Sequence, residues 1–176
     1  MQHPGELRYV DPRKHHGVLY RAWARSVATP FGLWLSRHIG WKVDPYLLRL
    51  TRGRIGTGLI IPTLLIETIG ARSGQPRRNG VIYFHDGERV IIVASHAGRP
   101  THPSWFFNAR ANPDVKLNGR PYRAEVVEGE AERGRLWELG DRVFPPFATY
   151  RKAAAARSGR DIPIIRLTAV DGEALG

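Results

Sequence analysis

Apolar residues change their spacing once along this chain, near Pro62. Before it they recur at helical intervals. Val18, Leu19, Trp23 and Val27 fall together, with Arg21 and Arg25 interleaved. Thr29-Pro30 reads as an N-cap followed by a proline in the first helical position, opening a helix with Leu33, Trp34 and Ile39. Asp44-Pro45 repeats the signal for YLLRLTRG, which stops at Gly53, and GRIGTG then reads as a flexible connection. Beyond Pro62 the apolar runs are short and β-prone. TLLIET (63–68), VIYFH (81–85), RVIIVAS (89–95) and residues 115–117, 120–128 and 162–168 predict six strands. Asp86-Gly87 and Asn118-Gly119 supply hairpin turns, and Pro163 lies near a strand start, where a sheet tolerates it. SWFFNARAN (104–112), residues 130–141 and FPPFATYRKAAAA from 144 predict helices.

Strands joined mostly by antiparallel connections, with helices inserted late, fit neither a doubly wound parallel sheet nor an all-helical bundle. The expectation is a mainly β, α+β fold: a small antiparallel barrel with flanking helices over its mouth. Residues 1–54 would be a helical N-terminal segment and residues 55–176 the barrel, in one folding unit of 176 residues.

Charge changes the picture of partners. Of the net +11, residues 1–60 contribute +7 (ten Lys/Arg, three acids) and residues 61–176 contribute +4 (seventeen against thirteen). Such asymmetry points to a nucleic acid, a membrane surface or a polyanionic small molecule. No run approaches the ~18 apolar residues of a membrane span. The start, MQHPGELRYVDPRKHH, lacks the apolar core of a signal peptide, so a cytoplasmic location is expected. Without cysteine there is neither a disulfide framework nor a thiolate metal site. Within residues 15–50, Trp23, Trp34 and Trp41 stand beside Leu19, Val27, Phe31 and Leu35, with Arg21, Arg25, Arg37 and Lys42 among them. That pattern suits peripheral contact with an anionic membrane, and equally a layer packed over the barrel.

Several chemistries drop out. There is no GxSxG, Ser104 has no identifiable base, the histidines never form HExxH, and GxxxxGK[ST] is absent. What remains is GARSGQPRRNG (70–80), between two predicted strands, and the ASHAG loop (94–98). Arg72, Arg77 and Arg78 offer charge-assisted bonds to phosphate or carboxylate oxygens. Gly70, Gly74 and Gly80 leave backbone N–H groups open to an anion. A solvated basic loop accounts for these residues as well, and Trp105, Phe106 and Phe107 read equally as core. Ser95, His96 and Gly98 put a polar rim at a strand end.

Taken in order, GARSGQPR, a strand ending in YF, DG, a strand ending in VAS, a small-residue loop, HPSWFFNARANPDV, a helix and IPII resemble the deazaflavin-dependent nitroreductase family. Its members are split β-barrels binding coenzyme F420, an 8-hydroxy-5-deazaflavin with an oligoglutamate tail. The resemblance covers about residues 55–168. It rests on two motifs, roughly T-G-R-K-[ST]-G-x-P-R and P-x-W-[YH]-x-N-[LA]-x-A-N-P. It implies that Arg72, Ser73 and Arg77, on the glycine turn with Gly74, hold the phosphate and tail. Asn79, Gly80 and Val81 would line the site. Val93, Ala94, Ser95 and His96 would run beside ring and phosphate, and Trp105 and Asn108 would close the ring pocket. Ala71 and His96 depart from the family's usual arginine and lysine, with Arg78 replacing part of the charge.

FPPFATY matches a stretch that carries three tyrosines in the nitroimidazole-reducing member; here they are Phe144, Phe147 and Tyr150. An apolar, acceptor-binding mouth is therefore expected, with Tyr150 as its proton donor or acceptor contact; packing under the last helix is the other reading of that ring. The implied activity is hydride transfer from reduced F420 to a quinone, conjugated carbonyl or nitro compound. An FMN-binding split-barrel flavin reductase and a non-catalytic binder of anionic surfaces stay open. No RNP or helix-turn-helix pattern appears, so no nucleic acid is expected, nor is a metal; the oligomeric state is open.

Overall fold

Leu64, Ile66 and Thr68 are buried between half-exposed neighbours along Thr63–Ile69, the first strand of the barrel. The computed structural model describes residues 7–14 and 61–170. The helices predicted within 15–53, and the membrane contact expected of residues 15–50, lie outside the described residues. The strands are β1 (Thr63–Ile69), β2 (Pro76–Asp86), β3 (Arg89–Val93), β4 (Asp114–Leu117), β5 (Arg120–Val126) and β6 (Ile164–Ala169). The helices are α1 (Ser104–Ala111), α2 (Glu130–Val143) and α3 (Pro146–Ser158).

Every strand pair is antiparallel, and the order β1-β2-β3-β6-β5-β4 closes on itself. Closure pairs each strand on both sides over at least part of its length, and leaves the Pro76–Ile82 stretch of β2 paired on one side only. Inside the barrel, Ile66, Tyr83, Ile92 and Leu117 pack with Trp105, Phe106 and Ala109 of α1. A second core lies outside it, where Phe84, Ile91 and Ile164 meet Leu136, Val143 and Phe147 of α2 and α3. Strand β3 is therefore buried on both faces, which explains why RVIIV is a continuous apolar run instead of an alternating one.

The hairpin signals hold. Gly87 has φ +63°, and Asn118 and Gly119 have φ +48° and +92°, the backbone of a tight hairpin turn. Asn118 also accepts the Leu65 N–H at 3.0 Å and donates its own N–H to the Leu65 carbonyl at 2.9 Å, tying this hairpin to β1. Leu7 and Val10 pack on the barrel core. Val10 N–H donates to His85 Nδ1 at 3.1 Å, and Tyr83 Oη donates to the Arg8 carbonyl at 2.9 Å. Burial holds the His85 pKa below its ordinary value, which keeps Nδ1 available as an acceptor.

Strands β5 (to Val126) and β6 (from Ile164) depart from the predicted bounds by about two residues, and two further differences bear on the site. Residues 76–80 are strand, not turn: Arg77, Arg78, Asn79 and Gly80 lie opposite Thr68, Glu67, Ile66 and Leu65. Cross-strand pairing outweighs the local turn chemistry, aided by the Arg78–Glu67 ion pair at 2.5 Å. Strand β3 ends at Val93 because the chain beyond Ala94 turns into left-handed backbone at His96, Ala97 and Gly98. No helix among the described residues is long and apolar enough to cross a membrane.

Candidate functional site

The barrel wall parts at one place. Strand β2 pairs with β3 only over Tyr83–Asp86, while its earlier residues pair with β1 alone. Past Ile92, the chain of β3 stays with β6: Val93 lies opposite Ile164, and Ala94 N–H donates to the Pro163 carbonyl at 3.0 Å. A split therefore opens between residues 79–82 and the 94–98 loop. Tyr83 N–H faces the β1 side, toward the Pro62 carbonyl, so by strand alternation Gly80 and Ile82 direct their peptide groups toward the split. Asn79, Gly80 and Val81 are on one lip, and Val93, Ala94, Ser95 and His96 lead along the other. The Val81 side chain belongs to the barrel core and its peptide groups face β1, so on this lip the backbone of Gly80 and Ile82 is what meets the split.

The glycine turn, residues 70–75, is closed by Gly70 N–H to the Gln75 carbonyl at 2.9 Å and Gly74 N–H to the Gly70 carbonyl at 2.8 Å. A Cβ on Gly70 would sit 2.6 Å from Ser73 Oγ and 3.2 Å from the Gln75 carbonyl oxygen, so a side chain there would displace the serine hydroxyl and crowd the turn. Gly74 has φ +64° and open space around it. Arg72, Ser73 and Arg77 are exposed, and neither arginine takes part in an ion pair among the described residues. Arg78 differs. Its Nε is paired with Glu67, which offsets part of the charge expected of it.

Asn108 is buried and bonded through both ends of its amide. Its Oδ1 accepts the Ala71 N–H at 3.0 Å and its Nδ2 donates to Thr68 Oγ1 at 3.2 Å. It fastens the glycine turn to α1, whose Trp105 is buried in the barrel core. On the other lip, His96 Nδ1 donates to the Thr101 carbonyl at 2.8 Å, which leaves Nε2 to face Arg99 Nη1 at 3.5 Å. Burial lowers the His96 pKa, so the neutral ring does not replace a lysine charge. Arg99 brings a cation to this loop, three residues after His96. Sequence reasoning passed over it, although the HAGR spacing was in view.

Sequence reasoning also missed Arg160. It is 9% exposed, lies just beyond the α3 cap Gly159, and gathers the 94–102 loop. Its Nε donates to the Arg99 carbonyl at 3.0 Å and its Nη2 to the Ser95 carbonyl at 2.7 Å. Nη1 meets the Ala94 carbonyl at 3.3 Å and His102 Nδ1 at 3.1 Å.

The expected apolar mouth needs correcting. Phe144, Phe147 and Tyr150 are 3%, 1% and 5% exposed and belong to the outer core. Helical spacing in α3 turns Phe147, Tyr150 and Ala154 toward the sheet together. Phe144 and Phe147 meet at 5.0 Å between ring centroids and are wall, not lining. Tyr150 differs from them in position. A Cβ on Gly98 would lie 3.0 Å from the Tyr150 carbonyl oxygen, so this residue backs the 94–98 loop directly.

Among the described residues, two guanidinium groups without ion-pair partners, a serine hydroxyl and open glycine backbone beside a split flanked by Val81, Val93 and Ala94 suit a ligand with an apolar ring, a phosphate and carboxylates. Residues 42–169 match the family described as F420H(2)-dependent quinone reductase. A Mycobacterium tuberculosis protein named F420H(2)-dependent quinone reductase is 35% identical over 146 residues, covering 77% of this chain and 95% of that protein. A solved F420-H2 dependent reductase is 35% identical with a TM-score of 0.52, covering 61% of this chain and 94% of that one. Another solved structure, described as a domain-swapped dimer, is 30% identical with a TM-score of 0.54, covering 72% and 97%. With the family match running through the glycine turn, both lips of the split and all six strands, this chain belongs to the F420H(2)-dependent quinone reductase family.

Proposed function

We propose that this chain binds reduced F420 along the split between β2 and the 94–98 loop and passes its hydride to a quinone-like acceptor. The observation that carries the reading is the pair Arg72 and Arg77, exposed and without ion-pair partners among the described residues, on one lip of an opening in the barrel wall. When bound, F420 supplies a hydride from a carbon of its deazaflavin ring. Arg72, Ser73 and Arg77 hold phosphate and carboxylate oxygens, and Gly74 and Gly80 admit them close to the backbone. Asn108 sets the angle of the turn. Val93 and Ala94 give the ring an apolar floor that excludes water, and Ser95 and His96, farther along the lip, offer backbone N–H groups to the phosphate. Tyr150 carries the only hydroxyl of the Phe144–Phe147–Tyr150 wall and its backbone backs the 94–98 loop; on that ground, not on exposure, we assign it the proton that completes reduction of the acceptor oxygen.

A quinone is favoured by the family, not by Phe144 and Phe147, whose burial removes them from the argument. Fluorescence titration with F420 and with FMN should show binding of the deazaflavin first. Steady-state rates with a hydrophobic quinone should exceed those with a bicyclic nitroimidazole. Tyr150→Phe should lower kcat by about 10², the usual weight of one positioned proton donor, with F420 affinity kept. Preference for FMN or for the nitroimidazole contradicts the reading; unchanged turnover in Tyr150→Phe returns that residue to packing.

The proposal extends to residues 15–50, whose tryptophans and cations suit an anionic membrane surface where a lipid-soluble quinone is met. Truncation would remove Leu7 and Val10 from the barrel packing, so charge reversal is the cleaner test. The protein should co-sediment with anionic and not with neutral vesicles. Changing Arg21, Arg25, Arg37 and Lys42 to glutamate should abolish this while F420 affinity stays. An intact protein that ignores both vesicle types assigns the segment to packing.

A further inference from the structure

No carboxylate lies within ion-pair distance of Arg160 among the described residues, and the neighbouring Asp161 is held by Arg133. A guanidinium buried without an anion is costly unless its N–H groups are satisfied. Here the acceptors are three backbone carbonyls and one imidazole nitrogen, all from residues 94–102. Two neighbours reinforce them: Ser158 Oγ donates to the Pro100 carbonyl at 3.1 Å, and Arg157 Nη1 lies 3.5 Å from the Gly98 carbonyl.

That loop needs a hold. His96 and Ala97 carry side chains yet have φ +49° and +50°, left-handed backbone that costs about 1 kcal/mol or more per residue. The hold also has a direction. In a trans peptide the carbonyl and the following N–H point opposite ways. Fixing the Ala94 and Ser95 carbonyls against Arg160 therefore turns the Ser95 and His96 N–H groups away from it. Neither N–H meets an acceptor among the described residues. Ser95 is right-handed (φ −67°, ψ −36°) and His96 left-handed, the alternation that gathers successive N–H groups into one concavity for an anion.

We propose that Arg160 is the positioning residue of this site: it draws the Ala94, Ser95 and Arg99 carbonyls to the end of α3, and so presents the Ser95 and His96 amides, with a buried positive charge behind them, to the anionic part of F420. The inference rests on the function proposed above. It needs arginine, because a lysine keeps the charge but has no planar fork to reach residues 94, 95, 99 and 102 together.

Arg160→Lys is the test, with folding followed by circular dichroism. The Kd for F420 should rise about tenfold, the weight of one charge-assisted hydrogen bond. The Kd for the same deazaflavin without phosphate and tail should stay within about twofold, because that part never meets the concavity; a simple loss of packing would weaken both alike. The backbone amide resonances of Ser95 and His96 should shift in the ligand-free variant. His102→Ala, which removes one acceptor and keeps the guanidinium, should raise the F420 Kd by about threefold, as for one neutral hydrogen bond. Equal loss of both deazaflavins, wild-type binding of both, or unmoved Ser95 and His96 resonances overturns the proposal. A wild-type protein that binds neither deazaflavin overturns the functional reading instead, and the amide resonances still decide the loop's geometry.

Discussion

Replacing Arg72 and Arg77 together with alanine is expected to weaken F420 binding by about 10² to 10⁴, since each charge-assisted bond contributes about 1.5–3 kcal/mol. Both side chains are exposed and outside every ion pair of the described residues, so their removal leaves the barrel intact. Arg78→Ala is the internal control. It breaks only the surface pair with Glu67, a contact worth about 0–1 kcal/mol, and should leave binding nearly unchanged. In the wild type, longer oligoglutamate tails should bind more tightly, and raised salt should narrow that difference. Fluorescence titration of F420 with defined tail lengths measures all three effects. If tail length has no effect and the double variant binds normally, the glycine turn is a solvated loop, and the split must bind its ligand by other groups.

The same turn shows what a sequence discloses and what it conceals. The strands were legible because short β-prone apolar runs and the Asp86-Gly87 and Asn118-Gly119 turns are local signals, each contained within a few residues. Their closure into an antiparallel barrel followed from the order of those signals. The extent of β2 was not legible: Pro76 to Gly80 carry turn residues, and only the facing Thr68 and Glu67 make them strand. The cluster Arg72, Arg77 and Arg78 stood out by composition, and the family resemblance singled out Arg72 and Arg77 within it. The residues that hold the site in shape could not, because their partners are distant in the chain. Asn108 meets Ala71, 37 positions away, and Arg160 meets Ser95, 65 positions away. Nothing in RSGRDIP distinguishes Arg160 from a surface arginine until the fold brings the 94–102 loop over it. Phe147 is a different case, since the helical period that buries it was present in the sequence and was set aside for the tyrosine comparison.

That burial makes a second large effect testable. Phe147→Ala is expected to cost about 3–5 kcal/mol, as for other large-to-small changes of a buried aromatic. Its ring is 1% exposed and packs edge-on against Phe144 at 5.0 Å and Trp137 at 6.1 Å between centroids. A Cβ on Gly140 would lie 3.6 Å from it, so the ring packs directly on the α2 backbone and its loss leaves that contact unmade. For a domain of this size the loss corresponds to a fall in Tm of about 6–20 °C. Phe147→Tyr separates the outer-core reading from an acceptor-lining one. In the outer core the added hydroxyl has no water to bond, and its desolvation should cost about 1–3 kcal/mol with no change in which acceptor is reduced faster. Thermal melts and paired rates with a quinone and a nitroimidazole, run on both variants, give the answer. If Phe147→Tyr instead melts like the wild type and gains rate on the nitroimidazole, position 147 faces the acceptor, and the outer-core reading of this ring fails.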